Sequence, residues 1–207
     1  MRTVARAVIA VTAISLCLGF APTYAKDSDG RAGNWKKGTQ GAPNLEKARK
    51  LAKEKPQSAD AHNDLGWALR QNGKLKEAEN ELRKALELDD TIAYGHSNLS
   101  VVLLDTGRPD EAIKEGRRAC AIDEKQAIYH VVLGNAYAAK KDFDKAANEY
   151  NYAIKLKPDY ENAFYNLGRI LYEQGKKAEA GSVLGEALKL DPDDGRVLEI
   201  LDKLVGT

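Results

Sequence analysis

The same residue types return every 34 positions along most of this chain, and this period limits the fold more than any other feature. Alanine recurs at two positions of the period, and leucine followed by a small residue recurs at a third. The three sets share one register without an insertion: Ala78, Ala112, Ala146 and Ala180; Ala85, Ala119, Ala153 and Ala187; Leu65, Leu99, Leu133 and Leu167. A fixed period of this length is typical of stacked copies of one supersecondary unit.

Four units of this length cover residues 59–194. Each unit holds two stretches with the apolar spacing of an amphipathic helix. Turn residues such as Gly73 and Gly107 separate the two stretches, and glycine readily adopts the left-handed conformation that ends a helix. The sequence therefore predicts an all-α solenoid of antiparallel helix pairs, with units at 59–92, 93–126, 127–160 and 161–194 and capping helices at 44–58 and 195–207.

The first 25 residues have the pattern of a secretory signal peptide. Arg2 and Arg6 precede a short apolar run at 7–20, and Ala25 ends a stretch suited to cleavage. We expect export to the periplasm, with an extracellular location or an uncleaved inner-membrane anchor as alternatives. The run is short for a membrane span, so no stable span is expected after cleavage. Residues 26–43 are predicted to be a flexible linker, in which Trp35 is either a spacer residue or docks onto the repeats or a partner.

The composition disfavours several classes of function. The chain has 32 Lys and Arg against 31 Asp and Glu, and this balance argues against nucleic acid as a partner, because phosphate binding favours a basic surplus. After signal cleavage only Cys120 remains, so no intramolecular disulfide is expected. The sequence shows no paired catalytic carboxylates, no nucleophile elbow and no phosphate-binding glycine loop. We therefore expect no enzyme activity, no cofactor and no metal.

The third and fourth units carry a family pattern. Unit three reads His130-x2-Leu133-Gly134-x2-Tyr137, then Ala146-x3-Tyr150 and Pro158, and unit four reads Phe164-x2-Leu167-Gly168-x2-Leu171, then Ala180-x3-Leu184 and Pro192. Both resemble the tetratricopeptide repeat, or TPR. In the first two units Asp90 and Glu124 replace the prolines between units, and in unit two Gly116 replaces a large residue. We expect these departures to weaken packing in unit two without changing the fold.

The resemblance implies that the first helices of the units line a concave groove that binds a peptide or helical segment of a partner protein. The groove residues that it implies are Asn63, Asp64, Trp67, Arg70, Tyr94, Asn98, Val101, Leu104, Ile128, Val131, Val132, Asn135, Asn162, Tyr165, Asn166, Arg169 and Tyr172.

The roles expected of these groove residues follow from their chemistry. Aromatic and aliphatic side chains would anchor the ligand, asparagine amides would hold its backbone, and Arg70 and Arg169 would set a charge preference at the ends. In related proteins asparagine stands at the positions of Asn98 and Asn166, whereas Asp64 and Val132 interrupt that row. Ile128 and Val132 stand where the family's carboxylate clamp needs cations, so capture of a C-terminal carboxylate is not expected.

Two alternatives remain open for this groove. The linker, the C-terminal helix or a second copy of the chain would fill it by self-burial. Separately, the solenoid would be a self-associating structural or assembly component of a cell-envelope complex, such as a secretion, pilus or cytochrome-maturation assembly.

The three histidines of the chain, His62, His96 and His130, are also 34 residues apart. Phe164 occupies the fourth equivalent position, which favours an aromatic packing role. A pH sensor and a shared metal site are the alternatives, and the separation of a whole helix pair is long for shared ligation.

Overall fold

The computed structural model describes residues 44–206. The predicted signal peptide, with Cys17, and the linker, with Trp35, lie outside the described residues. Residues 44–206 form ten α-helices and no strand: α1 Leu45–Glu54, α2 Ala59–Gln71, α3 Leu75–Leu88, α4 Ala93–Asp105, α5 Pro109–Ile122, α6 Ala127–Ala139, α7 Phe143–Leu156, α8 Glu161–Glu173, α9 Lys177–Leu190 and α10 Gly195–Val205. Within this range no helix is long and apolar enough to cross a membrane.

The helices pack in sequential pairs. α2 packs against α3, α4 against α5, α6 against α7 and α8 against α9, while α1 and α10 cover the two ends. The first helices of successive pairs, α2, α4, α6, α8 and α10, also pack closely against one another, whereas the second helices α3 and α5 meet only through side chains such as Arg83 and Glu111. The first helices therefore share one continuous surface, called the inner face below.

Close contact inside each pair depends on small residues. A Cβ added to Gly66 would lie 2.6 Å from Cγ of Leu82, and one added to Gly168 would lie 2.5 Å from Cγ of Leu184. The alanines of the 34-residue register, such as Ala78 and Ala146, are fully buried. Any larger side chain at these positions would push the two helices apart.

In unit two the two helices meet through a different pair of residues, with a larger residue at the glycine position and a glycine at the position of the large residue. Ser100 stands at the glycine position, and its hydroxyl donates to the Ala112 carbonyl oxygen at 2.8 Å. Gly116 stands where the other units have Leu82, Tyr150 and Leu184. Leu133 of the next unit approaches it, so that an added Cβ would lie 3.3 Å from Cδ1 of Leu133. Leu133 therefore fills space beside Gly116 that a large side chain takes in the other units, where the sequence had predicted weaker packing.

The turns between paired helices have one conformation in all four units. Gly73, Gly107 and Gly175 adopt φ values of 73°, 73° and 75°, and Lys141 adopts 62° at the equivalent position of unit three. Glycine takes this left-handed conformation without a steric penalty. Lysine has a Cβ, so unit three carries local backbone strain at this turn.

Candidate binding groove

The inner face of α2 and α4 is held together by polar contacts between residues 34 or 35 positions apart. The Tyr94 hydroxyl donates to the Asp60 carboxylate. One helical turn further on, the Asn98 side-chain amide donates to Oδ1 of Asn63 at 2.9 Å. Asn63 and Asn98 are each only 3% exposed. These contacts fix the spacing of the two helices at this end of the groove.

The middle of the groove is apolar and largely filled by its own side chains. Trp67, Val101 and Val132 are 3%, 3% and 2% exposed and form one cluster, against which the half-buried Ile128 packs. Val131 is also buried, at 4%. In this state Trp67 and the two valines of the cluster pack mainly against one another, while half-buried Ile128 and Leu104 present more of their side chains to the groove.

Both arginines predicted to set a charge preference pair with acidic residues of this chain. Nε of Arg70 lies 2.6 Å from Oδ2 of Asp105, and the Arg70 guanidinium lies 4.8 Å from the centre of the Trp67 ring. At the other end, Nη1 of Arg169 lies 2.8 Å from Oε1 of Glu173. Each positive charge is therefore balanced locally by a carboxylate.

The three asparagines predicted to hold a peptide backbone differ in their contacts. Oδ1 of Asn135 accepts the Tyr150 hydroxyl at 2.7 Å, and the Asn166 amide donates to the Asn162 carbonyl oxygen at 2.8 Å. Oδ1 of Asn98 is buried and has no hydrogen-bond partner, the one such side-chain atom among residues 44–206. Leaving a buried acceptor unpaired costs about 1–3 kcal/mol.

The C-terminal helix closes the far end of the inner face. The Arg196 guanidinium of α10 lies 4.5 Å from the centre of the Tyr165 ring. It also donates to Oδ1 of Asn162 at 3.3 Å and to the Glu161 carboxylate at 3.1 Å. Tyr165 packs in a cluster with the α10 core, and the half-buried Tyr172 packs against it. Among the predicted groove residues of α8, Asn162 and Tyr165 therefore contact α10.

The carboxylates at both ends of the groove perturb the protonation of their neighbours. Burial, followed by the hydrogen bond and negative charge of Asp60, raises the pKa of the Tyr94 hydroxyl, and Asp64 and Asp89 add to the effect. Burial and the hydrogen bond with Asp194 raise the pKa of Glu161 to about 7. Asp194 has its pKa lowered to about 2, because hydrogen bonds from Arg196 and Glu161 outweigh its burial.

Family models match most of the repeat region. Models described as "Tetratricopeptide repeat" match residues 59–92, 161–194 and 93–113, and one described as "TPR repeat" matches residues 134–175. The chain belongs to the TPR family. TPR proteins of this kind are, as a class, interaction scaffolds that bind other proteins.

Solved structures share the architecture of this TPR chain. The pilF protein of Pseudomonas aeruginosa is 28% identical over 74% of this chain and 70% of its own, with a TM-score of 0.67. YrrB, described as "a TPR protein with an unusual peptide-binding site", is 20% identical over 79% of this chain and 93% of its own, with a TM-score of 0.61. At that identity YrrB shows the fold alone.

Among curated proteins, the human protein O-mannosyl-transferase TMTC1 is 37% identical over 71 residues. The mouse protein of the same name is 38% identical over the same length. These 71 residues are 34% of the TPR chain and only 8% of each transferase. The match thus covers a small part of those proteins.

Away from the groove, the three histidines of this TPR chain make one contact pattern three times. Nδ1 of His62, His96 and His130 lies 2.6, 2.7 and 2.8 Å from the carboxylates of Glu81, Glu115 and Glu149. Nε2 of each ring lies 3.0 Å from the carbonyl oxygen of Pro56, Asp90 or Glu124, in the turn before its helix. At His130, whose pKa is raised to about 10, the charged imidazolium carries an N–H at both nitrogens and satisfies both acceptors.

Each histidine therefore ties the turn between units to both helices of its own unit. This role is polar rather than only aromatic packing. The sequence held a signal for it, because Glu81, Glu115 and Glu149 have the same 34-residue spacing as the histidines. In unit four both partners become apolar together, as Phe164 and Val183. No group of three potential metal ligands exists within residues 44–206.

Proposed function

We propose that this TPR protein is a non-catalytic scaffold that holds an extended or helical segment of a partner protein on its inner face. The family supports the scaffold role. The segment would lie along α2, α4 and α6, because Tyr94, Leu104, Ile128 and Asn135 are half-buried there, whereas α10 packs against Asn162 and Tyr165 of α8.

One observation carries this proposal, the unpaired Oδ1 of Asn98. The amide nitrogen of the same side chain is already fixed by Asn63, so the oxygen has a defined position. Because this oxygen is buried, a bound segment would first have to move neighbouring side chains before one of its backbone N–H groups could supply the missing donor. Every non-proline residue offers such a donor, so this contact tolerates many ligand sequences.

The test is binding to an array of extended peptides of mixed sequence, comparing the wild-type chain with Asn98→Ala. We expect Asn98→Ala to weaken binding about ten-fold, which corresponds to about 1.4 kcal/mol and is within the range for one buried hydrogen bond. Asn151→Ala is the matched control, because Asn151 is exposed on the second helix α7. Equal binding by wild type and Asn98→Ala would place the ligand elsewhere.

A second candidate is a structural role in a cell-envelope assembly, and the proposal includes export to the periplasm. Its support is the signal-peptide pattern of residues 1–25 together with the likeness to pilF at 28% identity. Light scattering of the chain without residues 1–25 separates the two candidates. A stable oligomer that loses peptide binding favours the structural role, and a monomer that binds peptides favours the scaffold.

A further inference from the structure

Basic side chains line a surface cavity on α5, one of the second helices. Lys114, Arg117 and Arg118 lie on α5 at this cavity, and all three are exposed. Nη2 of Arg118 lies 3.6 Å from Oδ2 of Asp90. Lys114 and Arg117, by contrast, form no ion pair within residues 44–206. Two positive charges at this cavity therefore lack a carboxylate partner in the described part of the chain.

The two carboxylates that line the same cavity already have cationic partners. Nζ of Lys140 lies 2.5 Å from Oδ1 of Asp110. Nδ1 of His96 lies 2.7 Å from Oε2 of Glu115. Neither carboxylate is therefore bonded to one of the two unpaired cations.

Arg117 is held in place by a neutral group. Its Nε and Nη2 donate to the Tyr137 hydroxyl at 2.9 and 2.6 Å, which leaves Nη1 for another acceptor. Lys145 of α7 also approaches Tyr137, with its Nζ 5.6 Å from the ring centre, while the Arg117 guanidinium lies 5.7 Å from that centre. Lys145 bonds to Asp142 at 2.6 Å. Two cations from facing helices thus meet at one tyrosine ring.

The equivalent arginine of unit one, Arg83, lies among carboxylates instead. Nη2 of Arg83 lies 2.7 Å from Glu79 and 3.7 Å from Glu111. One repeat later, Ile113 stands at the position of Glu79, and Lys145 stands at the position of Glu111. An apolar residue and a like charge have therefore replaced both acidic neighbours of the arginine.

This exchange turns a balanced cluster into a positive one. In the first cluster the acidic neighbours of Arg83 also pair with Arg108. The equivalent positions one repeat later hold two cations and one carboxylate, at Ile113, Arg117, Asp142 and Lys145. Lys114 adds a further cation where unit one has the uncharged Asn80. Because like charges repel one another, an anion that binds at Lys114, Arg117 and Lys145, called the basic site below, would relieve this repulsion.

The geometry favours several separate carboxylates over one compact anion. A phosphate is bound most strongly by two parallel N–H groups of a guanidinium, and Tyr137 already takes Nε and Nη2 of Arg117. Arg117 also lies inside α5, where backbone N–H groups bond within the helix and form no anion-binding nest. Lys114 lies one turn before Arg117, and Lys145 lies on another helix. An extended segment with several acidic side chains matches this spread of charges.

We propose that the basic site binds an acidic segment of a partner protein, in which one carboxylate accepts from Nη1 of Arg117 and others pair with Lys114 and Lys145. α5 and α7 are second helices, whereas the first helices form the inner face. The chain then has a second interaction surface, and binding there does not depend on the function proposed above.

The experiment measures binding of a fluorescent oligoglutamate peptide to the full chain by fluorescence anisotropy at low salt. Exposed charges act over a longer range under this condition, because the Debye length is about 30 Å at about 0.01 M salt. We expect the wild-type chain to bind the peptide. Lys114→Gln with Arg117→Gln should weaken binding about ten-fold, as expected for the loss of two exposed ion pairs.

Lys145→Glu tests the basic site while Lys114 and Arg117 are retained. It installs the glutamate that unit one has at this position and gives Arg117 an internal carboxylate, so binding should again weaken about ten-fold. The Lys145 side chain is 57% exposed, so the substitution leaves the helix packing intact. Lys76→Gln with Lys189→Gln is the control, because it removes the same net charge from exposed positions on α3 and α9, and it should leave binding unchanged.

Several results would overturn the proposal. The wild-type chain would fail to bind the peptide, or it would bind no better than the Arg117 and Lys145 variants. Inorganic phosphate that displaces the peptide at equal concentration would assign the basic site to a compact anion. Self-association of the chain alone, detected by light scattering and abolished by Lys145→Glu, would assign the acidic segment to a second copy.

The variant Asn98→Ala separates this proposal from the inner-face function. It should bind the oligoglutamate peptide as the wild type does, because Asn98 lies on the first helix α4. Weaker oligoglutamate binding by Asn98→Ala would place this peptide on the inner face and would also overturn the proposal.

Discussion

Nδ1 of His130 lies 2.8 Å from the carboxylate of Glu149, and the same contact exists 34 and 68 residues earlier, in the two preceding units. At the equivalent positions unit four has Phe164 and Val183. One repeat architecture thus accommodates either polar or apolar residues at these two positions. The residues at these two positions therefore change together rather than one at a time.

A double-mutant cycle tests this relationship. His130→Phe should destabilise the chain by about 1–3 kcal/mol, because it leaves the Glu149 carboxylate without its hydrogen bond. His130→Phe with Glu149→Val should recover most of that loss, since it installs the pair found in unit four. Urea unfolding of the two single variants and the double variant measures the coupling. A double variant whose loss equals the sum of the two singles would show that the pair is not a unit.

The stability that His130 contributes should fall as the pH rises. Burial lowers the pKa of the ring, but contacts with Cys120 and Glu149 outweigh it and raise the pKa to about 10. A folded-state pKa above the unfolded value of about 6.5 gives stability that is fully present below that pH. That stability is lost as the pH approaches 10. The melting temperature of wild type should exceed that of His130→Phe by more at pH 6 than at pH 9, and the opposite trend would contradict the charged pairing.

Two glycine substitutions should have opposite effects on stability. A Cβ at position 134 would lie 2.6 Å from the Tyr150 ring, whereas one at position 185 would meet nothing within 4 Å. Gly134→Ala should therefore cost about 1–3 kcal/mol from overpacking. Gly185→Ala should stabilise helix α9 by about 0.5–1 kcal/mol, because alanine is the better helix former. Thermal unfolding of the two variants checks the signs, and a stabilising Gly134→Ala would contradict the close helix contact.

Removing Arg196 should loosen α10 in a pH-dependent way. Arg196 lies against Asp194 at 2.6 Å and Glu161 at 3.1 Å. The pKa of Glu161 is raised to about 7. Its protonated carboxyl group therefore stabilises the fold at low pH, and this stabilisation is lost as the pH rises through 7. Asp194, with a pKa of about 2, stays ionised throughout this range. In Arg196→Gln, amide protection factors in α10 should fall, and they should fall more at pH 8 than at pH 5.

The response of α1 provides the control for this measurement. α1 lies at the opposite end of the solenoid and does not contact α10. Its protection factors should change little in Arg196→Gln. A uniform loss in α1 and α10 would indicate global destabilisation rather than release of the C-terminal helix.

The family and fold could be predicted from the sequence because the repeat is built from short-range patterns. The buried alanines, such as Ala146 and Ala180, recur at a spacing that is visible in the printed chain. The candidate site was less predictable. Trp67 was expected to anchor a ligand, and it packs at 3% exposure against Val101 and Val132. That packing depends on how closely three helices approach one another, which no single repeat encodes.

The sequence by itself determined the helices, their register and the face that each one buries. It did so because helical periodicity and turn residues act within one unit, and the unit is then repeated. The tertiary structure decided which groove atoms already have partners. Asn63 meets Asn98, and Arg70 meets Asp105, across a separation of 35 residues. Oδ1 of Asn98 is left without a donor. Hydrogen bonds require contact within about 3 Å, and only the packed stack of helices sets distances on that scale.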